Sequence, residues 1–103
     1  MPRVLFTQEW NHIQEVYVMD KDGKNITCLS HHNDEAMEYK YIAKPNKFTY
    51  VSEGETLNGW VLEPIDYTPK KKYPAVFDIH GGPRAAYGES FFHEMQVWAS
   101  EGY

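Results

Sequence analysis

The chain predicts an α/β fold, and three observations carry that reading. Ala75-Val76-Phe77-Asp78-Ile79 is a nearly continuous apolar, β-rich run, the pattern of a strand buried on both faces of a parallel sheet. His80-Gly81-Gly82-Pro83 stops it abruptly: the glycines free the backbone for positive φ or a close approach, and the proline fixes the exit and removes a donor. Residues 90–101 then read as a helix with an apolar stripe. Strand, glycine turn and helix in that order put the turn at a strand's carboxyl end, where open α/β sheets bind ligands.

Taken in order, Val4-Leu5-Phe6-Thr7 is a short strand and residues 10–12 a loop. Glu15-Val16-Tyr17-Val18-Met19 and Ile26-Thr27-Cys28-Leu29 are two more strands, joined by Asp20-Lys21-Asp22-Gly23-Lys24, where Asp-Gly supplies the positive φ of a hairpin turn. His31-His32-Asn33-Asp34-Glu35 reads as a polar loop, because adjacent histidines diverge and no spaced Cys or His completes a metal ligand set. Residues 35–47 form a connection. Phe48-Thr49-Tyr50-Val51-Ser52 and residues 56–62 form a second hairpin around Glu53-Gly54-Glu55, and Gly59 inside its second strand marks a bulge or a close backbone approach. A proline-bounded loop over residues 65–72 leads into the central strand, residues 73–80, expected beside the 48–62 hairpin with the helix packed across the sheet. In that helix Phe91, Met95, Trp98 and Gly102 fall at i, i+4, i+7 and i+11, with Phe92 and Ala99 alongside. Glu94, Gln96, Ser100 and Glu101 take the other face, Gly102 suits the C′ position, and Tyr103 would begin the next parallel strand.

His80-Gly81-Gly82-Pro83, with Tyr87-Gly88, Phe91-Phe92 and Ala99-Ser100-Glu101-Gly102-Tyr103, resembles the prolyl oligopeptidase family of serine peptidases, in its acylaminoacyl-peptidase and dipeptidyl-peptidase-like branch. The resemblance implies the N-terminal part of an α/β-hydrolase domain, residues 47–103, in which the 48–62 hairpin leads into the sheet. Residues 1–46 would then be the end of a β-propeller, with β-hairpin strands of its last blade, and a linker. In α/β-hydrolases the loop after this strand supplies one oxyanion-hole N–H. The resemblance assigns that donor to Gly82, with Gly81 and His80 supporting the turn. Arg84 and Tyr87 lie just beyond, where they either face substrate or pack the loop.

A G-x-S-x-G nucleophile motif does not occur in these residues, and Ser52, Ser90 and Ser100 lack its glycine frame. His80 therefore reads as an orienting residue rather than a general base, and His93 as a helix-surface residue. The expectation is a fragment without a Ser/Asp/His triad, inactive alone, from a serine peptidase acting on short peptides or acylated amino termini. A carboxylesterase-type hydrolase fragment and a non-catalytic β-rich interaction module are the alternatives.

The 103 residues carry a formal charge of −5 with no clustered basic face, which argues against nucleic acid. Lys70-Lys71-Lys72, between Pro69 and Pro74, reads as a solvated turn. No stretch suits a signal peptide or a membrane span, and the lone Cys28 makes no internal disulfide, so the expected compartment is the cytoplasm. No cofactor or metal is implied. An uncovered strand edge invites self-association.

Overall fold

A computed structural model describes every residue, Met1 to Tyr103. It contains two antiparallel sheets and two helices. β1 (Arg3–Glu9) and β2 (His12–Met19) form a hairpin around Trp10 and Asn11, running from Arg3↔Met19 to Glu9↔His12 with an irregularity between Thr7 and Glu9. Both strands run further than their β-branched cores suggest. β3 (Thr27–Cys28) joins the free side of β2 through Tyr17↔Cys28 and Val18↔Thr27. The intervening loop closes as Asp-Gly demands: Gly23 sits at φ 81°, and its N–H donates to the Asp20 carbonyl at 3.0 Å.

A carboxylate fastens the chain that follows. Glu15, only 6% exposed, accepts hydrogen bonds from the Ser30 hydroxyl and from both the backbone and the side-chain N–H of Asn33, the latter two at 2.9 Å. The short helix α1 (Asp34–Met37) starts directly after this loop. Tyr39 then turns the chain at φ 61°, and the Lys40 N–H donates to the Met37 carbonyl at 3.2 Å.

β4 (Pro45–Ser52) and β5 (Glu55–Leu62) pair along their whole length, from Pro45↔Leu62 to Ser52↔Glu55. Their two-residue turn has both central residues at positive φ, Glu53 at 51° and Gly54 at 85°, the twist that matches a hairpin. Gly59 faces Phe48, and a Cβ there would come within 2.7 Å of the Phe48 ring's Cε1. The strand glycine thus marks a close approach, with the ring covering its backbone.

α2 (His93–Ser100) ends in a Schellman motif: Gly102, at φ 98°, donates to the Ala99 carbonyl at 3.3 Å, and Tyr103 to the Trp98 carbonyl at 3.0 Å. Only six residues are buried, and five of them (Ala43, Pro45, Pro64, Gln96 and Ala99) gather where α2 meets the base of the second hairpin. There the Gln96 amide mimics a strand neighbour. Its Oε1 accepts from the Ala43 N–H at 2.7 Å, and its Nε2 donates to the Ala43 carbonyl at 3.0 Å. The Ile65 N–H donates to the Ala99 carbonyl at 2.9 Å, and the Tyr41 hydroxyl to the Glu63 carbonyl at 2.9 Å. Gln96, expected on the polar face, is therefore a core residue. Its amide satisfies a backbone unit that no strand reaches.

The expected central strand is the main correction. Residues 73–80 pair with nothing, and from residue 72 to residue 91 no hydrogen bond joins two main-chain groups. Phe77 is 85% and Ile79 72% exposed. The apolar run expresses what a sheet interior would require, but no strand lies beside it: β4 pairs only with β5, and α2 rests on the hairpin's base instead of crossing a sheet. Tyr103 closes the helix and begins no strand. The hydrogen bonds also fall into two sets, one within residues 1–40 and one within residues 41–103, and none joins them.

Candidate functional site

The glycine turn follows the unpaired run and precedes α2. His80 starts it: its Nδ1 lies 2.7 Å from the Gly81 carbonyl oxygen. A carbonyl only accepts, so Nδ1 carries a proton and donates. The Gly81 carbonyl and the Gly82 N–H belong to one peptide group and point in opposite directions. Fixing the carbonyl therefore aims the amide. The Gly82 N–H donates to no main-chain carbonyl. Its neighbours in this unpaired stretch are equally free, so that freedom follows from the stretch as a whole.

Space, and not dihedral angle, is what glycine provides here. Neither Gly81 nor Gly82 has positive φ, but a Cβ on Gly82 would sit 3.0 Å from the Arg84 nitrogen and 3.5 Å from that of Ala85. Gly81 has open space around it. The Gly82–Pro83 peptide bond is cis.

Aromatic rings back the turn. The Tyr87 ring stands edge-on to His80, with centroids 5.5 Å apart, and edge-on to Phe92 at 5.2 Å. The Tyr87 hydroxyl donates to Asp78 Oδ2 at 2.8 Å. That hydrogen bond, assisted by burial and by the charges of Asp78 and Glu94, pushes the phenol pKa above its ordinary value. A cleft of about 320 Å³ opens beside this cluster, lined by Asp78, Tyr87, Phe92, His93, Glu94 and Met95.

The structure thus brings His80, Gly81, Gly82 and Tyr87 together and leaves Arg84 exposed on the surface. Asp78 and Phe92 join this cluster beyond the residues the sequence assigns to the site: the signal available for Asp78 is a charged residue in an otherwise apolar run, while Phe92 reads only as part of the helix stripe. The larger cleft, about 520 Å³, lies on the first sheet around Glu15 and Asn33, away from the turn. His31 there bonds Asp34 at 3.0 Å, and no helix is long and apolar enough to cross a membrane.

No family model matches the chain. Individual relatives do. It is 38% identical over 82 residues to the uncharacterized peptidase YuxL of Bacillus subtilis, covering 79% of this chain and 12% of that protein. It is 32% identical over 93 residues to a probable dipeptidyl-peptidase 5 of Aspergillus niger, covering 85% of this chain and 13% of that protein. In structure it superposes on Pyrococcus horikoshii acylaminoacyl peptidase with a TM-score of 0.83 and 28% identity, over 97% of this chain and 16% of that one. The chain therefore spans about an eighth of the length of these curated relatives.

Proposed function

We propose that this chain, which belongs to the prolyl oligopeptidase family of serine peptidases, supplies the oxyanion-holding turn of an enzyme that cleaves short peptides or acylated amino termini. Residues 1–46 are the closing strands of a propeller blade with a linker, and residues 47–103 open the α/β-hydrolase domain. The observation that carries this reading is the His80–Gly81 hydrogen bond, which holds the carbonyl of the peptide group whose other side bears the Gly82 N–H, a donor bonded to no main-chain carbonyl. The relatives' names and the P. horikoshii likeness support the peptide substrate.

In that enzyme a serine from outside these residues attacks the acyl carbonyl, and the oxygen acquires negative charge. The Gly82 N–H donates to that oxygen, a stabilisation larger in the transition state than in the ground state. His80 holds the donor still, so no reorganisation is needed as charge develops. Arg84 and Tyr87 border the substrate path, which ends in the cytoplasm's peptide pool. No metal or cofactor enters this scheme.

The test has two arms. The 103-residue chain alone should hydrolyse neither peptides nor esters and should take up no fluorophosphonate, since donors without a nucleophile give only weak assistance. In the complete peptidase carrying this segment, Gly82→Ala should lower kcat on acyl-peptide substrates by about 10²-fold, because the added Cβ displaces the turn from the Arg84 amide. Stoichiometric labelling of any serine in the chain, or unchanged kcat in the variant, would remove the proposal.

A further inference from the structure

We infer that Tyr87 and Asp78 are positioning residues that hold the His80 ring, and through it the Gly82 amide, in the aimed orientation; this rests on the oxyanion role proposed above. The His80 ring has one hydrogen bond, from Nδ1 to the Gly81 carbonyl at 2.7 Å, and the residue is exposed. A single bond leaves an exposed imidazole free to turn about its own side-chain torsions. The Tyr87 ring, edge-on at 5.5 Å with planes 82° apart, blocks that rotation.

Tyr87 needs its own anchor. Phe92, the last residue before α2, meets it edge-on at 5.2 Å, and Asp78 Oδ2 accepts a hydrogen bond from its hydroxyl at 2.8 Å. One tyrosine touches both Asp78 and His80, so these residues face the same side of the chain, as i and i+2 do along a strand. This accounts for a carboxylate inside Ala75-Val76-Phe77-Asp78-Ile79: the position facing the turn needs an acceptor for Tyr87, and its neighbours do not. The line of control runs from Asp78 to the Tyr87 hydroxyl, from the Tyr87 ring to His80, and from His80 to the peptide group that bears the Gly82 N–H. None of these side chains needs to touch substrate.

The ring nitrogens of His80 report the arrangement directly by NMR in the isotope-labelled chain. The wild type should show His80 with its proton on Nδ1. Tyr87→Ala and Asp78→Ala should each release the ring into a mixture of tautomers, while the amide resonances of β4 and β5 stay in place. Asp78→Asn keeps an acceptor oxygen and should restore the Nδ1 form. In the complete peptidase, Tyr87→Phe and Asp78→Ala should lower kcat by about tenfold with KM changed less than about twofold, the signature of an interaction needed in the transition state. Fluorophosphonate should still label the serine. A wild-type His80 protonated on Nε2, a tautomer indifferent to both alanine variants, or loss of β4–β5 resonances together with it would overturn the inference. If Gly82→Ala lowers kcat but the Tyr87 and Asp78 variants do not, the positioning role alone fails. If Gly82→Ala also leaves kcat unchanged, the oxyanion reading fails with it.

Discussion

Glu15 organises an entire loop through one carboxylate. The Ser30 hydroxyl bond, with the N–H groups of Asn33 and His32, holds its pKa at about 2, below the ordinary 4.5, against burial, which acts in the opposite direction. A depressed carboxyl pKa stabilises the docked loop fully above pH 4.5, and that contribution disappears as pH falls through about 2. The Asn33 amide should therefore lose hydrogen-exchange protection in acid across that window, and Glu15→Gln should flatten the dependence. An Asn33 amide whose protection ignores pH would contradict the network. Gln96 behaves comparably without charge. Gln96→Leu leaves the N–H and C=O of Ala43 buried and unpaired, and should cost roughly 1–3 kcal/mol for each orphaned group in thermal or denaturant unfolding. Nothing in the sequence marks either residue as internal. Both are polar side chains in positions where periodicity assigns solvent, and each is buried by a backbone segment distant in sequence.

The β4–β5 hairpin is the element that local chemistry specifies most completely. Its turn sits between Ser52 and Glu55, and Glu53 occupies a left-handed conformation at φ 51° that asparagine adopts more easily. Glu53→Asn should stabilise the hairpin by about 0.5–1 kcal/mol in a melting experiment. Gly59→Ala should destabilise it by about 1–3 kcal/mol, since the new Cβ collides with the Phe48 ring. In a Phe48→Ala background that penalty should vanish, and a double-mutant cycle measures the difference. The β2–β3 connection and the β4–β5 hairpin were legible because Asp-Gly and Glu-Gly turns act over a few residues, and so was the Gly102 cap. The 73–80 run was legible only as β-forming. Its pairing depends on strands that are not its sequence neighbours, and a hydrophobic pattern does not say which strand will come. Of the candidate site, the glycine turn was legible from His80-Gly81-Gly82-Pro83, whereas the Asp78–Tyr87 bond depends on two segments meeting in space.

At the scale of the whole molecule, the exposed run has a practical result. Phe77 and Ile79 project from a backbone with unpaired donors and acceptors, the arrangement that recruits another strand. The chain should self-associate in sedimentation velocity as concentration rises. Phe77→Lys should suppress this while shifting folding stability by no more than about 0.5 kcal/mol, because Phe77 is 85% exposed. Sedimentation identical for the two proteins would exclude the run as the adhesive edge. The separation of hydrogen bonds at Lys40 and Tyr41 reaches further, into cooperativity. No hydrogen bond joins residues 1–40 to residues 41–103, so the melting of one segment leaves the other's hydrogen bonds intact. A scanning calorimeter should record heat uptake in two waves, and the van't Hoff enthalpy from any one probe should fall short of the calorimetric total. One melting temperature would then describe half of the molecule at a time.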